Sequence, residues 1–359
     1  MRLDWTMVLI SVGSRTRFCR GLRTNSVLTS TRFSSLEVEV EQVCDFIAKS
    51  NSLVVITGAG LSTNSGIPDY RGENGAYKKG HKPQTHQDFM GSVLNRRRYW
   101  ARSLIGWGAI SQAKPNGGHY ALARLEQNNK IKGIITQNVD RLHSKAGSQR
   151  VVELHGRSDR VSCMSCSLQT SRKVLHQQLE LVNTKFMGRL RSSGIAFMKD
   201  DSSLLRPDGD AFVPLTDELD PANFCLVSCP ACGGILKPQV TFFGDNVDPK
   251  TREDADFLVS QADSLLVVGS SLEVFSVYRY FKRRQGDPTS TGKGNSSSLV
   301  NVAVVNQGPT RLDREIEEGK IKTLDPSGSG GWASPPVNLR FRSQRDCVEL
   351  LEAVAARLC

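Results

Sequence analysis

Three groups of residues in this chain have types and spacings that could do chemistry. The first is Thr57-Gly58-Ala59-Gly60, which follows the apolar run Leu53-Val54-Val55-Ile56. That run reads as a buried parallel strand. Glycines at its end let the backbone turn sharply and approach a ligand closely. If a helix starts just after them, its free N–H groups and positive end suit a pyrophosphate. The spacing is wrong for a dehydrogenase, because the third glycine, Gly66, comes six residues after Gly60 instead of three. The chain continues through Ile67-Pro68-Asp69-Tyr70-Arg71, more polar and rigid than a turn requires.

The second group sits at the ends of other predicted strands. Gln137-Asn138-Val139-Asp140 closes the apolar run 131–136, and His155-Gly156 closes 151–154. Gly269-Ser270-Ser271 and Asn306-Gln307-Gly308 close the runs 264–268 and 299–305. In an open parallel sheet this carboxyl edge is where ligands bind. An imidazole there, titrating near neutral pH, is a candidate general base. Alone, each of these turns could be purely structural; together they suggest one shared site.

The third group is cysteine. Cys163-x-x-Cys166 and Cys229-x-x-Cys232 could place four thiolates around zinc in a closed, structural site. Cys225 lies outside the pairs and reads as a buried thiol. Nine cysteines, an odd number, with two such pairs argue for a reducing compartment and a metal instead of a disulfide framework.

The elements that must position these groups can be traced along the chain. Helical spacing of apolar residues predicts helices over 36–49, 89–112, 116–127, 254–261 and 347–358. The segment 76–87 reads as a loop able to close over a ligand. Between the cysteine pairs, a helix is predicted over 174–186, followed by the polar run 199–221. The run 240–245 is expected to return the chain to the sheet. Stretches 286–298 and 323–336, rich in Gly, Ser and Pro, read as disordered insertions.

At 359 residues the chain can hold one large domain and a smaller module. Its net charge is +11, but the basic residues are scattered or in short runs without interleaved aromatics. They read as solvated surface and not as a nucleic-acid stripe. No apolar run is long enough to span a bilayer. Residues 1–34 hold six arginines and one acid, Asp4, among many serines and threonines. That composition fits a mitochondrial transit peptide, with the matrix as destination. A secretory signal with Met7-Val8-Leu9-Ile10 as its apolar core is the rival, and a plain disordered tail the structural alternative.

In combination, GAGLSTNSGIPDYR, QNVD, ELHG, the paired CxxC and GSS resemble the sirtuin family. YWARSLIGW, FFGD, SLLVVGSSLEV and NQGPTR are similar to its mitochondrial class II branch. The resemblance covers residues from about 37 to the C-terminus, apart from the insertions. It implies an α/β fold: a Rossmann-like parallel sheet with helices on both faces, in residues 35–156 and 239–359. A small zinc-binding module would occupy 157–238. It further implies that NAD and an acyl-lysine of a protein substrate meet between the two.

By the same resemblance, Gly58, Ala59 and Gly60 would cradle the pyrophosphate with Ser270. Ile67 and Asp140 would hold the nicotinamide carboxamide, in a pocket shaped by Asp69 and Arg71. Gln137 and Asn138 would contact the nicotinamide ribose, and His155 would be the base. Asn306 would bind the adenosine ribose, and the backbone of Cys347 the adenine. Thr57, Tyr70, Val139, Gly269, Ser271, Gln307 and Gly308 belong to the same cofactor-binding stretches. The implied reaction moves the acyl group to ADP-ribose and releases nicotinamide. The same residues would serve a protein ADP-ribosyltransferase, and a zinc-ribbon scaffold or nucleic-acid binder is the non-enzymatic alternative. The peptide would add as a strand between the Gly244 loop and the 272–274 segment. Tyr99-x-x-Arg102 could present a hydroxyl and a guanidinium to an acidic acyl group. Gln307 stands where the family usually has an apolar residue.

Overall fold

A computed structural model of the protein describes residues 35–192, 206–207, 219–282, 300–320 and 338–359. The expected targeting segment 1–34, most of the polar run 199–221 and the stretches 286–298 and 323–336 lie outside the described residues.

Helix α1 (Ser35–Lys49) leads to strand β1 (Leu53–Thr57), and two 3-10 turns follow at Ala59–Leu61 and Thr63–Ser65. Helices α2 (His86–Gly91), α3 (Val93–Gln112) and α4 (Gly117–Gln127) precede β2 (Gly133–Thr136), the short α5 (Leu142–Lys145) and β3 (Val151–Glu153). A smaller module comes next. It holds β4 (Gly156–Cys163), β5 (Gln169–Ser171), α6 (Arg172–Val182), α7 (Thr184–Ser192) and β6 (Leu236–Val240). The chain returns through α8 (Pro249–Gln261), β7 (Ser264–Val268), α9 (Phe275–Lys282), β8 (Asn301–Val305), α10 (Arg311–Glu317), β9 (Asn338–Ser343) and α11 (Cys347–Leu358).

Six strands form a parallel sheet in the order β3-β2-β1-β7-β8-β9. Every residue of β1, β2 and β7 is buried. Both faces are covered, which is why these strands read as unbroken apolar runs. On one face Val55 and Leu266 pack with Val43 of α1, Leu122 of α4 and Leu350 of α11. On the other, Val54 and Ile56 pack with Ala255 of α8, Val277 of α9 and Leu312 of α10. The order reverses between β1 and β7, so the loops leaving these neighbours diverge and open a crevice at the carboxyl edge. The α/β expectation is borne out.

The small module is an antiparallel sheet, β5-β4-β6. It joins the large sheet at His155-Gly156. Gly156 has φ +78°, and a Cβ there would lie 2.0 Å from Gln239 O. The Thr241 N–H donates to His155 O at 2.9 Å. Only glycine fits this joint.

Local expectations fail at several points. The 89–112 helix is two helices, α2 and α3. Ser92, in extended conformation, ends the first and caps the second by accepting from Asn95 N. The 174–186 helix is likewise split into α6 and α7. Buried Asn183 breaks it by donating to Leu179 O and Cys225 O and accepting from Cys225 N. Cys225 is therefore tied by its backbone, and it is exposed instead of buried. The run 240–245 is not a strand of the large sheet. It leaves β6 and turns at Phe242–Asp245.

Candidate functional site

At the β1/β7 reversal the glycine turn grips its neighbour strand's loop. Gly58 N donates to Val268 O at 3.1 Å and Gly60 N to Gly269 O at 2.9 Å. A Cβ on Gly58 would lie 2.7 Å from Gly269 O, and one on Gly60 2.9 Å from the same atom. Gly58 itself is extended (φ −132°). The glycines are thus needed for the interlock of two loops, beyond any approach to a ligand. No α-helix follows them; the 3-10 turns do, so an extended helix dipole is not aimed at this site.

The 137–140 loop is tied to the same turn. Gln137 Nε2 donates to Ser270 Oγ at 2.6 Å, bridging the ends of β2 and β7 across β1. Asn138 Nδ2 donates to Gly58 O at 3.0 Å and to Ser62 Oγ at 3.1 Å. Ser62 Oγ in turn donates to Asp140 Oδ2 at 2.7 Å, while Asp140 Oδ1 accepts from Leu142 N at 2.9 Å. Burial pushes the Asp140 carboxyl upward, and these bonds oppose the shift.

His155 is half-buried, with one edge on the cavity. Its Nδ1 lies 3.2 Å from Gln137 O, which can only accept, so the proton belongs on Nδ1. Nε2 then carries the lone pair and accepts from Ser276 Oγ at 2.8 Å. Desolvation lowers the imidazole pKa to about 4, although the bond to Gln137 O raises it. The ring is neutral at pH 7, as a proton acceptor must be.

These groups open on a cavity of about 1450 Å³. Ile67, Asp69, Tyr70 and Arg71 line one side, with Asp69 Oδ1 accepting from Gly72 N and Arg71 stacked over Tyr77. Val139, Ser271, Asn306, Gln307, Gly308 and Cys347 line it as well. Arg342 donates to Asn306 O and Gly308 O at 2.7 and 2.8 Å, holding that loop open toward the cavity. Thr57 is the exception among the expected cofactor residues. It is fully buried behind the turn and bonds Thr136 and His143 instead. Tyr99 is 2% exposed in a cluster with Phe89, Trp100 and Phe242. Neither Tyr99 nor Arg102 lines the cavity, so this pair does not meet an acyl group there.

Sequence reasoning missed Ser62 and Ser276. Ser62 lay inside a stretch already singled out, so its neighbourhood was a signal. Ser276 had none. A further unread group is Lys237, whose buried ammonium lies 2.8 Å from Asp245 Oδ2 and 4.2 Å above the Phe242 ring. Asp245 also pairs with His86. Together they anchor the Phe242–Asp245 turn, which presents Phe243 and Gly244 to the cavity.

In the small module the sulfurs of Cys163, Cys166, Cys229 and Cys232 all lie within 4.8 Å of one another. The Cys163–Cys232 and Cys166–Cys229 pairs are at 3.5 and 3.7 Å. Tetrahedral zinc with bonds of about 2.3 Å requires sulfur separations of about 3.8 Å, so the set fits the ion. A Cβ on Gly234 would lie 2.9 Å from Cys163 Sγ, and glycine there keeps the knuckle tight.

A family model described as the Sir2 family matches residues 58–276. The chain belongs to the Sir2 family. This sirtuin is 44% identical over 269 residues to NAD-dependent protein deacetylase 2 of Bradyrhizobium diazoefficiens, covering 75% of this chain and 89% of the relative. It is 42% identical over 277 residues to the bovine (Bos taurus) NAD-dependent protein lipoamidase sirtuin-4, mitochondrial, covering 77% of this chain and 80% of the relative. Among solved structures, a Sir2–p53 peptide–NAD+ complex superposes with a TM-score of 0.57 at 25% identity, covering 89% of this chain and 98% of that one. The sirtuin is accordingly an NAD-dependent enzyme, and its four clustered thiolates suit a structural zinc.

Proposed function

We propose that this enzyme is a protein-lysine deacylase of the deacetylase and lipoamidase type, transferring the acyl group to ADP-ribose with release of nicotinamide. One observation carries the reading. A neutral imidazole, His155, is fixed through Nδ1 to Gln137 O with its Nε2 lone pair at the cavity, beside a glycine turn and a strand-end Asn138.

NAD, when bound, supplies a ribose carbon open to substitution as nicotinamide departs. Gly58, Ala59, Gly60 and Ser270 would hold its pyrophosphate. Ile67 and Asp140 would hold the carboxamide, and Asp69, Tyr70 and Arg71 would close that pocket. Gln137, Asn138 and Val139 would face the nearer ribose, while Asn306, Gln307, Gly308 and Cys347 would take the adenosine end. His155 Nε2 would exchange the Ser276 hydroxyl for a ribose hydroxyl and accept its proton. The Gln137 O bond would stabilise the imidazolium so formed. The acyl-lysine peptide lies as an added strand between the Phe243-Gly244 turn and the 272–274 segment.

The catalytic domain comprises 35–156 and 239–359 and the zinc module 157–238, with the boundaries falling inside β4 and β6. The substrates are acylated proteins of the mitochondrial matrix. The arginine-rich first 34 residues and the mitochondrial sirtuin-4 relatives support that compartment.

Incubation with NAD and a panel of acetyl-, lipoyl- and other acyl-lysine peptides, with products read by mass, tests the reading. Nicotinamide, free lysine peptide and acyl-ADP-ribose in equal amounts are expected. Protein-bound ADP-ribose without deacylated peptide would replace it with the transferase alternative. Intact NAD together with salt-sensitive DNA binding would replace it with a non-catalytic role.

A further inference from the structure

Two buried histidines stand behind the site and take no part in the proposed chemistry. His143 of α5 is 2% exposed and His119 of α4 is 0% exposed. Their rings meet edge to face, 5.0 Å apart. His143 Nε2 lies 2.9 Å from Thr57 Oγ1. The Thr57 hydroxyl donates to Thr136 Oγ1 at 2.8 Å, across the β1–β2 pairing. Thr136 Oγ1 accepts the peptide N–H of Asn138 at 3.1 Å. The run therefore ends on the backbone of a residue in the cavity wall.

Its other end reaches the same wall. His119 closes the capping box of α4 with Asn116. Asn116 Nδ2 donates to Leu61 O at 2.8 Å and Ser65 Oγ at 3.0 Å, in the two 3-10 turns after the glycines. Two polar runs, meeting at the packed rings of His119 and His143, thus brace the glycine turn and the 137–140 loop from behind.

Thr57, having given its proton to Thr136, offers His143 only a lone pair. The ring proton is thereby assigned to His143 Nε2. Burial keeps the ring neutral, with its pKa well below the ordinary histidine value. A residue without this donor would leave the Thr57 hydroxyl free to turn away from Thr136. Asn138 would feel the change directly. Both its amide protons are held by Gly58 O and Ser62 Oγ, so a shift of its backbone must strain those bonds.

We propose that His143 is a positioning residue for the reaction, acting through the hydroxyls of Thr57 and Thr136 to fix Asn138 against the glycine turn. The inference rests on the proposed deacylase function. A mutant cycle tests it, with kcat/KM for deacylation, NAD affinity by calorimetry and Tm measured in parallel. His143→Phe keeps a ring without a donor, and Thr57→Val removes the hydroxyl alone. Each is expected to lower kcat/KM about tenfold, and the double variant no further. On an Asn138→Ala background neither should lower kcat/KM or NAD affinity further, while each still shifts Tm as it does in the parent. His143→Gln, which can donate in place of Nε2, should restore most of the loss. An equal loss with and without Asn138 would overturn the inference, as would parental kcat/KM in folded His143→Phe and Thr57→Val. Full activity of Asn138→Ala itself would overturn the functional assignment, and this inference with it.

Discussion

Ser276 Oγ lies 2.8 Å from His155 Nε2, although the residues stand 121 positions apart. The serine is the second residue of α9 and the histidine lies two residues past β3, so the contact spans the crevice between the two halves of the large sheet. It occupies the nitrogen that must become the base, with a partner that a substrate hydroxyl can replace.

His155→Ala is expected to lower NAD-dependent deacylation by about 10²–10⁴-fold with little change in Tm. Ser276→Ala should cost far less, since the serine only holds the resting ring. The profile of kcat/KM carries a further sign. With the imidazole pKa at about 4, the base stays neutral as pH falls through 6.5, and the acid limb due to His155 appears only near pH 4. A limb centred at 6.5 in steady-state assays would remove the assignment of this ring.

Stability should follow His119, His143 and half-buried His155 in the same direction. His119 and His155 are lowered to about 4 by burial, and His143 lies well below its ordinary value. Their unfolded pKa is about 6.5, so the unfolded chain binds more protons below that pH. Their contribution is complete above pH 6.5 and is lost as pH falls toward 4, by about 1.4 kcal/mol per pH unit for each proton taken up. Asp140, raised by burial, opposes this at the acid end. Urea melts at pH 7, 6 and 5 check the slope.

Cys229→Ser removes one corner of the four-sulfur cluster. Elemental analysis should show about one zinc per chain in the parent and much less in the variant. The midpoint of unfolding should fall, because metal affinity is coupled to folding. Unchanged zinc content would argue against this ligand set.

Gly58→Ala forces a methyl to within 2.7 Å of Gly269 O, a backbone atom that cannot step aside. A loss of about 1–3 kcal/mol is expected, together with weaker NAD binding, by denaturant titration and calorimetry. Gly108→Ala is the contrast. A Cβ there meets nothing within 4 Å, and the position is inside α3. It should stabilise the protein by up to about 1 kcal/mol.

The large sheet was legible because its strands are buried on both faces and end in small or polar residues. The order of turns after Ile56, Thr136 and Val268 could be read straight from the chain. Helix breaks were not legible. Ser92 interrupts a long apolar pattern through one side-chain bond and Asn183 through three, and the distant partner of Asn183 is Cys225, 42 residues away. Thr57 reads as part of a cofactor-binding stretch because it adjoins Gly58. Strand alternation instead turns its hydroxyl inward, to Thr136 and His143. Tyr99 reads as available on a helix, yet Phe89 and Phe242 from other segments enclose it with its neighbour Trp100. Contacts of this range leave no local trace in sequence.

His155 is mounted at the joint where the large sheet hands over to the small one. Gly156 turns there against Gln239, and His155 O is held by Thr241 on the return path. A rotation between the two bodies would therefore swing the base relative to the glycine loop, and it would have to slide Leu175 and Leu179 of α6 against Trp100 and Leu104 of α3, which share one core. Packing changes in that shared core would reach the base through this pivot.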